Sequence, residues 1–169
     1  GPDLPDPTSG WAMLTATGGH PGNDPQHAVI RRWTAPSDGV LAITGTLAHE
    51  ESQGDGVRAT ITSQRQGRLA TWTAQHSTTK TPLDSVQVRA GDTLDFVVDC
   101  RGTVYYDSFS WTLHLRLSPR RGITVVPADR TEWSSSKDFS GPAAPPKPLN
   151  SWEKYAQVLL ESNEFVFVD

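Results

Sequence analysis

The strongest constraint in this chain is a strict alternation near its middle. Phe109, Trp111, Leu113, Leu115 and Leu117 are separated by Ser110, Thr112, His114 and Arg116. Side chains two residues apart in a strand share a face, so this stretch has one oily side and one wet side and cannot serve as an amphipathic helix. The same rhythm recurs upstream. Leu41, Ile43 and Leu47 oppose Ala42 and Thr44; Val57, Ala59 and Ile61 oppose Arg58, Thr60 and Thr62; Leu94, Phe96 and Val98 oppose Asp95 and Asp99.

Eight strand-like segments are predicted, at about 10–15, 27–35, 39–48, 56–63, 68–76, 83–89, 93–100 and 107–117. Typed turns separate them. Pro36-Ser37-Asp38-Gly39 presets φ with proline and releases it with glycine, and Gly54-Asp55-Gly56, Gln66-Gly67 and Ala90-Gly91-Asp92 act alike. Many short strands with a turn every ten or so residues predict an all-β fold, a jelly-roll sandwich of about eight antiparallel strands spanning 10–117. Residues 118–149, with Ala143-Ala144-Pro145-Pro146-Lys147-Pro148, have the composition of a linker. Residues 150–169 follow as a helix and an apolar tail. Asn150 with Glu153 resembles a capping box, and Trp152, Tyr155, Ala156, Leu159 and Leu160 form one apolar stripe. Such a stripe needs a surface to cover it, on the sandwich or on the remainder of a larger parent protein.

Composition narrows the partners. The net charge is −4 with no basic stripe, which argues against a nucleic-acid partner. The apolar runs are too short to span a bilayer, and no signal-peptide pattern opens the chain; Gly1-Pro2 reads as a protease scar. A single cysteine, Cys100, forms no internal disulfide and builds no cysteine-rich zinc site, and its place in an alternating run makes it a small buried hydrophobe.

Several stretches bring a family into view. The tail from Trp152 to Leu160, with Ser162-Asn163-Glu164-Phe165 and Phe167-Val168-Asp169, resembles the C-terminus of large planctomycete cytochrome-c-like surface proteins with domains of unknown function. Gly18-Gly19-His20-Pro21-Gly22 through Ala35-Pro36, Gly54-Asp55-Gly56-Val57-Arg58, Gly91 to Asp99 and Asp107 to Trp111 are similar to an insert of those proteins. The resemblance implies a jelly-roll insert like a carbohydrate-binding module and an extracytoplasmic setting, periplasmic or at the cell surface. It carries over no haem motif.

The candidate ligand-binding residues lie in loops. Gly18 to His27 offers His20, Asn23, Asp24 and His27, whose donors and acceptors suit sugar hydroxyls; a rigid solvated loop explains them equally well. His49, Glu50 and Asp55 sit in a second loop. Adjacent Glu50 and Glu51 point apart in an extended chain, so they make poor glycosidase carboxylates. Tyr105 and Tyr106, flanked by Arg101 and Asp107, stand just before the last strand. Of the six tryptophans, Trp111 belongs to the core, Trp11 opens the first strand and covers an edge, Trp133 sits in the linker, and Trp72 fits either the core or a stacking surface. No cofactor is expected. A structural calcium ion would draw on Asn23, Asp24, Asp55, Asp99 and Asp107, although no EF-hand spacing appears. The histidines lack HxH or HxxxH spacing, and the chain has neither a GxSxG elbow nor a phosphate-cradling glycine loop ahead of a helix.

The leading expectation is therefore a non-catalytic module that recognises a polysaccharide or other glycan. A docking domain that packs on its parent protein is the alternative, and a polysaccharide-active enzyme with Glu50, Asp107 and Arg101 around one groove is the third.

Overall fold

Two long strands organise the molecule. β4 (Gly39–His49) and β10 (Phe109–Pro119) pair antiparallel along their length, from Ala48 opposite Ser110 to Gly39 opposite Pro119. In this computed structural model residues 4–119, 130–138, 150, 152 and 154 are described. Short strands complete the free edges of the long pair. β7 (Ser77–Lys80) and β8 (Leu83–Val88) share the outer edge of β4. β2 (Gly18–His20) and β11 (Glu132–Ser134) share that of β10, and β1 (Met13–Leu14) pairs with β2. These seven strands form one sheet. The second has four, in the order β3 (Val29–Thr34), β9 (Thr93–Asp99), β5 (Val57–Ser63), β6 (Gly67–Ala74). Every pairing is antiparallel, and the chain is an all-β sandwich.

The alternation read from the sequence is the packing. Leu41, Ile43, Leu47, Leu113, Leu115 and Leu117 on one sheet meet Val57, Ala59, Ile61, Leu94, Phe96 and Val98 on the other, all buried. Ring contacts tie the layers together. Phe96 and Trp111 meet edge to face at 5.8 Å between centroids, and Trp33 and Trp133 do so at 5.2 Å. Trp111 also satisfies its indole N–H, which donates to Thr81 Oγ1 at 3.0 Å inside the core. Charge pairs such as Arg32–Asp95 stand on the solvent face of the smaller sheet, in register across β3 and β9.

Eleven strands are present among the described residues where eight were expected. The additions, β2, β7 and β11, are Gly-Gly-His, Ser-Thr-Thr-Lys and Glu-Trp-Ser. Each is too short or too polar to show alternation, and each exists because a long neighbour offers it an unpaired edge. β11 and the turn of helix α1 (Ser135–Asp138) fall within the stretch read as a linker. Trp133 is thus part of the sheet edge, and the buried Ser135 hydroxyl accepts from Leu113 N–H at 3.0 Å. Of the C-terminal segment, Trp152 and Lys154 are helical, with Trp152 N–H donating to Asn150 Oδ1 at 2.9 Å; the rest of that expected helix and tail lies outside the described residues.

Candidate functional site: an aromatic cleft at the loop end

Two loop structures face each other at the end of the sandwich and enclose a cleft of about 450 Å³. Its lining is Leu4, Trp11, Met13 and His20 on one side, with Val104, Tyr105, Tyr106 and Ser108 on the other. The three rings are accessible: Trp11 is 43% exposed, Tyr105 71% and Tyr106 50%.

The first wall rides on the β1–β2 hairpin. Thr15 N–H donates to Gly18 O at 2.9 Å and Gly18 N–H to Thr15 Oγ1 at 3.0 Å, closing the turn. Gly18 is required by close approach, because a Cβ there would sit 2.1 Å from the Phe109 carbonyl oxygen. From below, Arg31 reaches out of the core to the same turn. It donates to Thr15 O at 2.6 Å, Gly18 O at 2.7 Å and Trp111 O at 3.3 Å. Burial pushes its guanidinium below the ordinary arginine range. Upstream, Asp6 accepts from Thr8 N–H, Ser9 N–H and Ser9 Oγ, and these bonds hold its carboxyl well below the usual carboxylate range. His20 donates from Nδ1 to Pro21 O at 2.8 Å, which leaves Nε2 as the acceptor of the neutral ring.

The second wall is the β9–β10 connection. Asp55 clamps its start, accepting from Gly102 N–H at 3.0 Å, Thr103 N–H at 3.1 Å and Thr103 Oγ1 at 2.7 Å. Burial opposes ionisation of Asp55, yet these bonds outweigh it and keep the carboxyl below its ordinary value. Arg101 returns the contact by donating to the Asp55 carbonyl. Tyr106 adopts φ +67°, a left-handed conformation unusual for a bulky residue, and its carbonyl accepts from His49 Nε2 at 2.8 Å. The other nitrogen of His49 accepts the His76 N–H at 3.2 Å, so the proton of the neutral ring is on Nε2. His49 and Asp107 are both fully buried, with Nε2 to Oδ1 at 3.6 Å, and neither carboxylate oxygen of Asp107 has a hydrogen-bond partner. Burial, and then the charge of Asp55, push Asp107 up to about 7; the Gly56 N–H, which lies close without the geometry of a hydrogen bond, and the Arg101 charge pull the other way.

A second groove of about 210 Å³ adjoins at Ser108 and is lined by Ala48, Glu50, Glu51, Phe109 and Ser110. Among the candidates from the sequence, His20, Tyr105 and Tyr106 thus line the cleft and Glu50 its neighbour. The others have different duties. Asp24 caps a single 3-10 turn (Pro25–His27), accepting from Gln26 N–H, His27 N–H and His27 Nδ1. Asn23 stands against Gly10, where a Cβ would meet its Oδ1 at 2.2 Å. Asp55 and Arg101 brace the tyrosine loop, His49 holds its backbone, and Asp107 is sealed beneath it. Trp72 is half-buried on β6, packed against the core, and does not line the cleft. Neither groove is lined by Asp107 or Arg101, so the trio proposed for catalysis does not surround one of them. Leu4, Trp11, Met13, Val104 and Ser108 are the lining residues that the sequence pattern did not single out. A large aromatic at the very opening of the first expected strand, Trp11, is the signal that the sequence offers.

The calcium donor set does not converge. Asp24 commits Oδ1 to the Pro25–His27 turn, Asp55 commits both oxygens to Gly102 and Thr103, and Asp99 binds Arg58 and the Arg101 N–H. Among the described residues, no three His, Cys, Asp or Glu side chains gather around a common point. No helix among them is long and apolar enough to cross a membrane. No family model, curated protein or solved structure matches the chain.

Proposed function

We propose that this sandwich is a non-catalytic glycan-binding module whose ligand lies in the cleft between Trp11 and the Tyr105–Tyr106 loop. The observation that carries the reading is the set of three accessible rings on two braced loops, with His20 and Ser108 among them. Aromatic faces pack on the apolar C–H faces of a pyranose, and neighbouring polar groups bond its hydroxyls. The walls are braced from behind by the hydrogen bonds of Arg31, His49 and Asp55, so little ordering is left to occur on binding. Three stacking contacts of about 1 kcal/mol each, plus a few hydrogen bonds, correspond to dissociation constants of about 10⁻⁴ to 10⁻³ M.

The test is titration with neutral and charged oligosaccharides, followed by calorimetry or NMR. Trp11→Ala and Tyr105→Ala should each weaken binding about fivefold or more, as one lost ring contact would. Trp72→Phe should leave it unchanged. Absence of binding across a glycan panel would remove the reading. The docking alternative rests on residues 150–169, almost all outside the described ones, and gains nothing from this geometry.

A further inference from the structure

His49 has one proton and two acceptors. Its Nε2–H bonds the Tyr106 carbonyl at 2.8 Å, while Asp107 Oδ1 waits at 3.6 Å. The carboxyl is fully buried with no well-formed hydrogen bond, an expensive arrangement for a charge and a tolerable one for a neutral acid. A hydrogen bond to an ionised carboxylate is roughly twice as strong as one to a neutral carbonyl. Tyr106, held at φ +67°, keeps that conformation only while its surroundings enforce it.

We propose that Asp107 and His49 form a proton-controlled latch under the tyrosine wall of the cleft. With Asp107 protonated, His49 stays on the Tyr106 carbonyl and the wall is fixed. When the Asp107 proton leaves to solvent, the His49 Nε2–H turns to the new carboxylate, the Tyr106 carbonyl is released and the wall relaxes. The titratable groups around the pair are few. Asp55 approaches from the β4–β5 loop, Cys100 and Arg101 from the end of β9, and His76 from the β6–β7 turn, where its N–H fixes the tautomer of His49. Asp55 charge opposes ionisation of Asp107 and Arg101 favours it. The His76 ring is turned to the Glu50 carbonyl at 3.2 Å.

Only the consequence for ligand rests on the glycan reading; the latch itself is tested without one. Amide and histidine side-chain NMR of the whole chain, run from about pH 5 to about pH 9, should show one transition shared by Tyr105, Tyr106, Asp107 and the His49 ring. Asp107→Asn should abolish it and leave those signals flat. His49→Gln should uncouple the Tyr106 amide from Asp107 titration. A wild-type chain whose Tyr106 and His49 signals do not move together overturns the latch, even if neither variant folds. So does a transition that survives in Asp107→Asn, or one that calcium displaces and chelator restores, since Asp107 would then be a cation ligand. If a glycan binds, affinity should fall severalfold across the same transition. If none binds while the transition is present, the glycan reading fails and the latch stands.

Discussion

Arg31 sits on the inward face of β3 and donates to the carbonyl of Gly18 at 2.7 Å, so a core arginine holds the turn that carries one wall of the cleft. Its partners are carbonyls, three of them, which the fork of a guanidinium reaches from two nitrogens; an ammonium has three N–H donors but must serve them all from one point. Arg31→Met keeps most of the volume and leaves the acceptors bare. Removal of a desolvated charge offsets part of that loss, and a net destabilisation of about 1–3 kcal/mol is expected in denaturant titration. Hydrogen exchange should quicken first at residues 15–20. Arg31→Lys should recover only part of the loss.

Trp111 and Thr81 supply a second buried bond, and both are almost fully buried. Thr81→Val preserves the shape but strands the indole N–H. The cost should be about 1–3 kcal/mol, read as a lower denaturation midpoint with an unchanged slope. Trp111→Phe in the same background should cost less than in the wild type, because the unpaired donor is gone.

These two residues mark where the sequence was legible. The inward position of Trp111 follows from its phase with Phe109 and Leu113, and the sandwich follows from several such runs. Thr81, 30 residues away, belongs to no pattern and became its partner through the crossing from β7 to β8. Arg31 alternates with Val29 and Trp33 in a buried phase, yet a charged residue in that phase reads as an interruption until its carbonyl acceptors are known. The tyrosines were legible as loop aromatics. Trp11 and Met13 were not legible as their counterparts, because the cleft is made by β2 joining β10, and Gly-Gly-His announces no strand. Asp107 looked like a ligand contact and is sealed inside, since nothing in a loop sequence reports which side chains turn inward.

Gly54 offers a local test of the tyrosine wall. Its φ is +83°, and a Cβ there would lie 2.5 Å from the Tyr105 carbonyl oxygen. Gly54→Ala therefore meets both an unfavourable conformation and a backbone atom that cannot swing aside. A stability loss of about 1–3 kcal/mol is expected, together with altered tyrosine fluorescence. Gly67→Ala is the control. Its φ is also positive, at +74°, but a Cβ there meets no atom within 4 Å, so its loss should be smaller, near 1 kcal/mol.

Stability should depend on pH through Asp107 with a sign opposite to that of most acidic residues. The folded carboxyl titrates near 7, raised by burial, whereas an unfolded aspartate titrates near ~4. Between those values the folded chain holds a proton that the unfolded chain has lost, so stability falls as pH rises through the window and stays lowered above it. The full window corresponds to at most about 4 kcal/mol, and relaxation of the pocket toward the carboxylate will reduce it. Asp55 works the other way. Its depressed carboxyl contributes stability above the unfolded value that is lost as pH falls through the folded one. Urea titrations of wild type and Asp107→Asn from about pH 4 to about pH 9 separate the two groups. The stability of the variant relative to wild type should rise across the window and level off above about pH 8. A difference that stays constant with pH would mean that Asp107 is ionised throughout the range and that a donor from the loop or from solvent reaches it in solution.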